Sequence, residues 1–100
     1  MDLNNVEQIK NIIKKINLEE ISALRKENPQ SSTLRKVVNC SIKILKSTGE
    51  EVIKLAPVVA HALRHLVKDT SYLKEEKKQN YSAISRELFE NTVGYYENEK

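Results

Sequence analysis

Residues 50–68 read EEVIKLAPVVAHALRHLVK, the most apolar helical pattern in the chain. Its apolar side chains recur at helical spacing and wrap around more than half of the helix circumference. They are Val52, Ile53, Leu55, Ala56, Val59, Ala60, Ala62, Leu63, Leu66 and Val67. The opposite strip is polar and consists of Lys54, His61, Arg64, His65 and Lys68. A helix this apolar has to pack against several neighbours, so we predict that 50–68 is the central helix of a bundle. Pro57 should kink it or begin a fresh helical segment there.

Three further helices are predicted before this central one, over residues 4–16, 18–27 and 33–47. The first carries an isoleucine-rich stripe, and the stripe jumps to another side of the helix after Ile16, which indicates a break at Asn17. Asn17 and Glu20 resemble a capping box for the second helix, which Asn28-Pro29 should end. Ser31-Ser32 offers an N-cap for the third helix.

The segment Thr48-Gly49-Glu50-Glu51 predicts a tight turn into residues 50–68. Gly49 suits the position after a helix, and Thr48 with Glu51 matches a capping box. Helices joined this closely should form an antiparallel hairpin. Beyond the central helix, residues 74–80 (KEEKKQN) contain no apolar side chain, so they predict a solvated linker or an exposed helical stretch. A last helix is expected over residues 80–96.

The composition agrees with a single all-α domain spanning residues 1–100, a compact bundle of four to five helices. One hundred residues suffice for one domain, and four Gly plus Pro residues are few for a many-stranded β fold. The lone Cys40 cannot form an internal disulfide, and no signal peptide or membrane-length apolar run occurs. We therefore expect a cytoplasmic protein that does not enter a membrane. Abundant Asn, Lys and Ile, which have A/T-rich codons, suggest a bacterial or phage source.

No pattern in the sequence favours an enzyme, a cofactor or a small-molecule substrate. His61 and His65 share a helix face at a spacing that can chelate zinc, but the glutamate of a zincin motif is replaced by Ala62. No second His/Cys cluster exists to complete a metal site, so we expect none. The sequence places no histidine beside Cys40, as a catalytic cysteine would need. We therefore expect Cys40 to be a small residue that packs at the edge of the core. Adjacent glutamates point about 100° apart on a helix and do not form a catalytic pair.

The leading functional hypothesis is a non-enzymatic protein that docks on another protein and self-associates as a homo-oligomer. It rests on the apolar excess of the central helix, because uncovered apolar surface on a globular chain usually marks a partner site. The predicted interface residues are Val52, Leu55, Val59, Leu63, Leu66, Tyr81, Ile84, Leu88 and Tyr95.

The alternative hypothesis is a small DNA- or RNA-binding regulator that uses the basic helix 33–47. No acidic residue occurs between Ser31 and Thr48, and one arc of this helix is basic and polar. The candidate nucleic-acid residues are Arg35, Lys36, Asn39, Lys43 and Lys46. Cationic and amide side chains of this kind suit phosphates and base edges.

A short stretch of this region also resembles known DNA-binding proteins. Residues 33–39 (TLRKVVN) resemble the start of the recognition helix in lac-repressor-type helix-turn-helix proteins, and Leu18-x-Glu20-Ile21 is similar to their first helix. The resemblance covers about twenty residues and implies that residues 33–39 face DNA. The turn departs from the family pattern, because the segment over residues 26–31 is longer than the turn of that family and contains no glycine. The sequence is not assigned to that family.

Overall fold

The computed structural model describes the backbone of residues 3–69 and 71–99 and the side chains of residues 5–69 and 71–92. These residues form five helices and no strand. The helices are α1 (Leu3–Ile13), α2 (Leu18–Glu27), α3 (Ser32–Lys46), α4 (Glu50–Lys68) and α5 (Glu75–Glu99). The predicted all-α bundle is therefore confirmed, and the radius of gyration of 13.2 Å matches a compact chain of this length.

Helix α4 occupies the centre of the bundle. It packs against α3 on one side and α5 on another, and α1 contacts α3, α4 and α5. Helix α2 packs on α3. All five helices contribute side chains to a single apolar core. The exposed side of α4 carries its polar strip.

Local hydrogen bonds explain most of the helix starts. The Asn17 side chain accepts a bond from the Glu20 backbone N–H at 3.1 Å, which confirms the predicted break before α2. Ser31 does the same for the Leu34 N–H at 3.2 Å. These side-chain acceptors satisfy backbone donors that have no partner inside the helix.

The turn into α4 differs from the prediction. Gly49, not Thr48, is the N-cap, with φ 57° and ψ −131° and no side-chain cap bond. A residue with a Cβ adopts this positive φ only at a cost, so glycine is needed here. The Thr48–Glu51 capping box is wrong because the helix begins one residue too late for Thr48 to cap it. Helix α4 then continues through Pro57 as one helix, so no fresh segment begins there.

The two terminal helices differ most from their predicted bounds. Helix α1 ends at Ile13, and tight turns follow in which Lys15 and Ile16 N–H groups bond three residues back at 3.0 Å. Helix α5 begins at Glu75, five residues before the predicted start. Glu75 and Glu76 stabilise its first turn because carboxylates interact favourably with a helix N-terminus. The KEEKKQN segment is thus mostly the exposed first turns of α5.

Side-chain contacts fasten α5 to the N-terminal helices. The Tyr81 hydroxyl donates to Glu20 of α2 at 3.0 Å, and the Lys15 ammonium lies 3.1 Å from the Glu87 carboxylate. Burial, together with the bond to the Glu20 carboxylate, raises the pKa of Tyr81 to about 12. The Asn5 amide donates to the Asn91 carbonyl at 3.4 Å. No described helix is both long and apolar enough to cross a membrane.

Candidate nucleic-acid interface

The structure places the predicted protein-interface residues inside the chain's own core. Seven of them are buried: Val52, Val59, Leu63, Leu66, Tyr81, Ile84 and Leu88. Leu55 is half-buried, and Tyr95 lies outside the residues whose side chains are described. The expectation that these side chains form a docking surface needs correction, because α1, α3 and α5 cover α4 within one chain. A partner could reach the seven buried side chains only if the bundle opened.

Two large apolar side chains are exposed among the described residues, Ile42 on α3 and Val58 on α4, each at 38%. Singly scattered apolar side chains of this kind are normal on protein surfaces. The apolar excess that motivated the docking hypothesis is thus largely accounted for by internal packing.

The five predicted nucleic-acid residues all lie on the exposed side of α3. Arg35, Lys36, Asn39, Lys43 and Lys46 are exposed. The opposite side of the same helix is inserted in the core, where Leu34, Val37 and Ile44 are fully buried. Because the apolar residues anchor α3 to α4 and α1, the basic side is held outward.

Helix α2 adds two cations that the sequence reasoning missed. The Arg25 guanidinium donates to the Asn39 side-chain oxygen at 3.2 Å, and Lys26 is exposed beside it. Arg35 in turn donates to the Pro29 carbonyl at 3.2 Å, across the turn that joins α2 to α3. The available signal was the basic last turn of α2, which only four residues separate from the start of α3. We call these residues the α2–α3 basic surface, which comprises Arg25, Lys26, Arg35, Lys36, Asn39, Lys43 and Lys46.

A cleft of about 460 Å³ opens on this surface between α2 and α3. Its lining residues are Ser22, Arg25, Lys26, Pro29 and Arg35. Three of these five carry a positive charge, and Ser22 adds a neutral hydroxyl. The cleft therefore combines cationic and neutral donors, as binding of a phosphate group requires.

The positive charges of the α2–α3 basic surface are not neutralised by neighbours. The ion pairs between described residues join Lys15 to Glu87, Lys77 to Glu20 and Lys78 to Glu75, and none of them involves this surface. Five exposed cations and the half-buried Arg25 therefore lie together without an ion-pair partner among the residues that the structure describes. Mutual repulsion makes such a surface favourable for an anionic ligand.

The other chemically interesting side chains do not assemble into a site. The His61 ring packs edge-on against Phe89, with ring centroids 4.8 Å apart, and His65 is exposed. Cys40 is half-buried at the edge of the core. No group of three or more His, Cys, Asp or Glu side chains within the described part of the chain could hold a metal ion.

No protein-family model matches the chain, and comparisons with curated proteins and with solved structures likewise gave no match. The chain is therefore assigned to no family, and its function has to be argued from its own surfaces.

Proposed function

We propose that this protein binds double-stranded DNA through the α2–α3 basic surface. The observation that carries the proposal is a cluster of six cations on two neighbouring helices, five of them exposed and Arg25 half-buried, with no ion-pair partner among the described residues. Release of counterions from phosphates supplies most of the affinity of such contacts.

The dimensions of α3 fit a duplex. Arg35 and Lys46 are eleven residues apart, which corresponds to about 16 Å along a helix. Phosphates of one DNA strand follow each other at about 3.4 Å along the axis, so this length spans about five of them. The major groove of B-DNA admits an α-helix, whereas the major groove of an RNA duplex is too deep and narrow for side chains to read. Asn39 lies midway along α3 with its amide nitrogen available.

A double strand is favoured over a single strand by the aromatic side chains. Proteins that bind single strands present exposed aromatic rings on which bases stack. Among the described aromatic residues, Tyr81 is buried, and Tyr72 and Phe89 are half-buried against the core. Backbone contact with a duplex needs no such ring.

Docking on another protein, with self-association, stays a prediction. Among the described residues predicted for that interface, Leu55 is the one that is still partly accessible to a partner, since the others are buried. The mass of the protein in solution, measured with and without DNA, tests it directly.

The proposal is tested by titrating a labelled DNA duplex at about 150 mM salt. We expect sub-micromolar binding, and six phosphate contacts would give a slope of log K against log salt of about −5. The double variant Lys36→Glu/Lys43→Glu should abolish binding while its thermal unfolding stays close to that of the parent, because both side chains are exposed.

The matched control is Lys10→Glu/Lys14→Glu, which changes the charge equally but lies on α1 and the turn after it. It should bind duplex DNA nearly as well as the parent. Absence of duplex binding at this salt, or equal loss in both double variants, would reject the proposal. Tighter binding to an RNA duplex of the same length would redirect it to RNA.

A further inference from the structure

A second group of cations lines a groove between α4 and α5. One cleft of about 430 Å³ and a neighbouring cleft of about 670 Å³ share four lining residues, so the two clefts form one groove that is open to solvent. The shared residues are Val67, Lys68, Ser82 and Arg86. We call this feature the α4–α5 groove, and we call the smaller cleft, which Arg64 and Arg86 both line, the arginine cleft.

The arginine cleft has one wall from each helix. Helix α4 contributes Arg64, Val67 and Lys68, and α5 contributes Ser82, Ser85 and Arg86. The buried Ser85 hydroxyl donates to the Ala60 carbonyl of α4 at 2.8 Å, so a hydrogen bond ties the two walls together. The cleft is therefore part of the packed bundle, and each wall brings one guanidinium group to it.

An aromatic ring restricts the position of Arg64. The guanidinium carbon lies over the Phe89 ring, 5.0 Å from the ring centroid, and the His61 ring packs edge-on against the same ring. A cation over an aromatic face is attracted to it, whereas the N–H donors of a guanidinium lie in the plane of the guanidinium itself. Contact with Phe89 thus limits the freedom of Arg64 and leaves its donors available. Such a side chain loses less freedom when it binds an anion.

No carboxylate among the described residues neutralises the cations of the arginine cleft. The ion pairs in this part of the chain include none of Arg64, Lys68 and Arg86. The acidic lining residue of the groove, Glu75, belongs to the larger cleft and lies 3.9 Å from Lys78. Three positive charges therefore meet at one cleft, and an anion that binds there relieves their mutual repulsion.

The donors of the arginine cleft suit a phosphate group better than a carboxylate. A carboxylate carries one charge and presents two oxygens in one plane, which a single guanidinium fork can engage. A phosphate monoester carries a charge of about −1.5 to −2 at pH 7 and presents three acceptor oxygens. The cleft offers it guanidinium groups from both walls, the Lys68 ammonium and the half-buried Ser82 hydroxyl.

We infer that the arginine cleft binds the phosphate group of a small soluble phosphomonoester between Arg64 and Arg86. The rest of the ligand has room in the larger cleft, which Gln79 lines. A soluble ligand is favoured over a lipid headgroup, because proteins that lie on a membrane surface insert Trp, Phe or Leu side chains. The apolar residues described along the groove are Val67 and Ala83. The inference goes beyond the proposed function and does not rest on it, since no DNA takes part.

The test is a titration of the isotope-labelled protein with glycerol phosphate, followed by NMR of arginine side-chain and backbone amide signals. We expect saturable shifts at Arg64, Ser82 and Arg86, with a dissociation constant of about 1 mM or lower. Succinate is a dianion that carries carboxylates in place of phosphate. It should bind roughly tenfold more weakly, because its oxygens satisfy fewer of the donors.

Variants of the two arginines assign the binding to the cleft. Arg64→Gln/Arg86→Gln should weaken the binding of glycerol phosphate roughly tenfold or more, as expected when charge-assisted hydrogen bonds are lost. The matched control is Arg25→Gln/Arg35→Gln, which removes two arginines from the cleft between α2 and α3. It should leave the shifts at Ser82 unchanged.

A second variant guards against an effect on folding. Loss of Arg64 also removes its contact with Phe89, which lowers the unfolding temperature if that contact stabilises the bundle. Lys68→Gln/Arg86→Gln keeps the contact and should weaken binding to a similar extent.

The outcomes that would overturn the inference are distinct from those that bear on DNA. Absence of saturable shifts, equal affinity for succinate, or equal loss of affinity in the control variant would each reject the phosphate site. Binding to vesicles that contain phosphatidic acid, without binding of glycerol phosphate, would also reject it. Shifts confined to Ser22 and Arg35 would place the phosphate on the α2–α3 basic surface, which rejects the groove site and leaves the proposed function standing.

Discussion

Two buried serines illustrate how differently one residue type can contribute to this bundle. Ser85 of α5 donates its hydroxyl to Ala60 of α4 at 2.8 Å, whereas the Ser41 oxygen has no hydrogen-bond partner among the described groups. Both side chains are nearly inaccessible to solvent. A buried hydroxyl without a partner loses its bonds to water and gains nothing in return, so it costs free energy.

Alanine substitutions should therefore act in opposite directions at the two positions. We expect Ser41→Ala to be neutral or to raise the free energy of unfolding by about 1 kcal/mol, since it removes an unsatisfied group. Ser85→Ala should lower it by about 1 kcal/mol, because a satisfied bond between α4 and α5 is lost. Urea unfolding followed by circular dichroism measures both. Equal destabilisation by the two substitutions would show that the Ser41 hydroxyl is satisfied in solution.

Among the helices, α4 has the largest share of fully buried side chains. One side of α4 packs in the core and the other side is exposed to solvent. Leu63 and Leu66 are inaccessible and contact the surrounding helices, while Val58 remains 38% exposed on the same helix. The position of this helix at the centre was predictable, because an apolar surface wider than half the circumference requires neighbours on several sides.

Truncation to alanine should destabilise the protein much more on the buried side of α4 than on its exposed side. Leu63→Ala should lower the free energy of unfolding by about 2–5 kcal/mol, since it leaves a cavity in a packed core. That loss is a large part of the stability of a small domain. Val58→Ala, the matched control on the exposed side, should change it by about 0.5 kcal/mol or less. Chemical denaturation of the two variants gives the comparison; similar losses would show that α4 is not central.

Helix boundaries were predictable wherever a side chain caps the helix, as at Asn17 and Ser31. The boundaries were harder to predict where backbone geometry or the packing of neighbouring helices sets the end of a helix. The start of α4 depends on the positive φ of Gly49. The early start of α5 depends on Glu75 and Glu76, which lie in a polar stretch where no apolar periodicity marks a helix. The basic arc of α3 was readable from the sequence. That Arg25 and Lys26 of α2 lie beside this arc was not, because only three-dimensional packing brings the two helices together.

Helix α5 completes the bundle by covering α4 and contacting the N-terminal helices. It packs along α4 and α1, and its polar bonds reach residues of α1, α2 and the turn between them. The burial of the predicted interface residues follows from this closure. Sequence periodicity identifies an apolar surface, but it does not distinguish cover by the same chain from cover by a partner.

Removal of α5 should therefore expose the apolar surface of α4. A chain that ends at Lys74 should bind a hydrophobic dye, self-associate and lose its cooperative unfolding transition, because α4 loses one of its main neighbours. Light scattering and thermal unfolding measure these changes. A truncated chain that stays monomeric and unfolds as sharply as the full one would show that α1–α4 form the folding unit.

The late position of α5 in the chain has a consequence for synthesis in the cell. A ribosome that adds about 5–20 residues per second needs roughly 1–5 s to make the 25 residues of α5. During that interval the nascent α4 has no α5 to cover it. We expect chaperones that hold apolar helices to bind the chain during this interval. Crosslinking of chaperones to ribosome-bound chains stalled at Lys74, compared with the released chain, would show whether this binding ends once α5 is free.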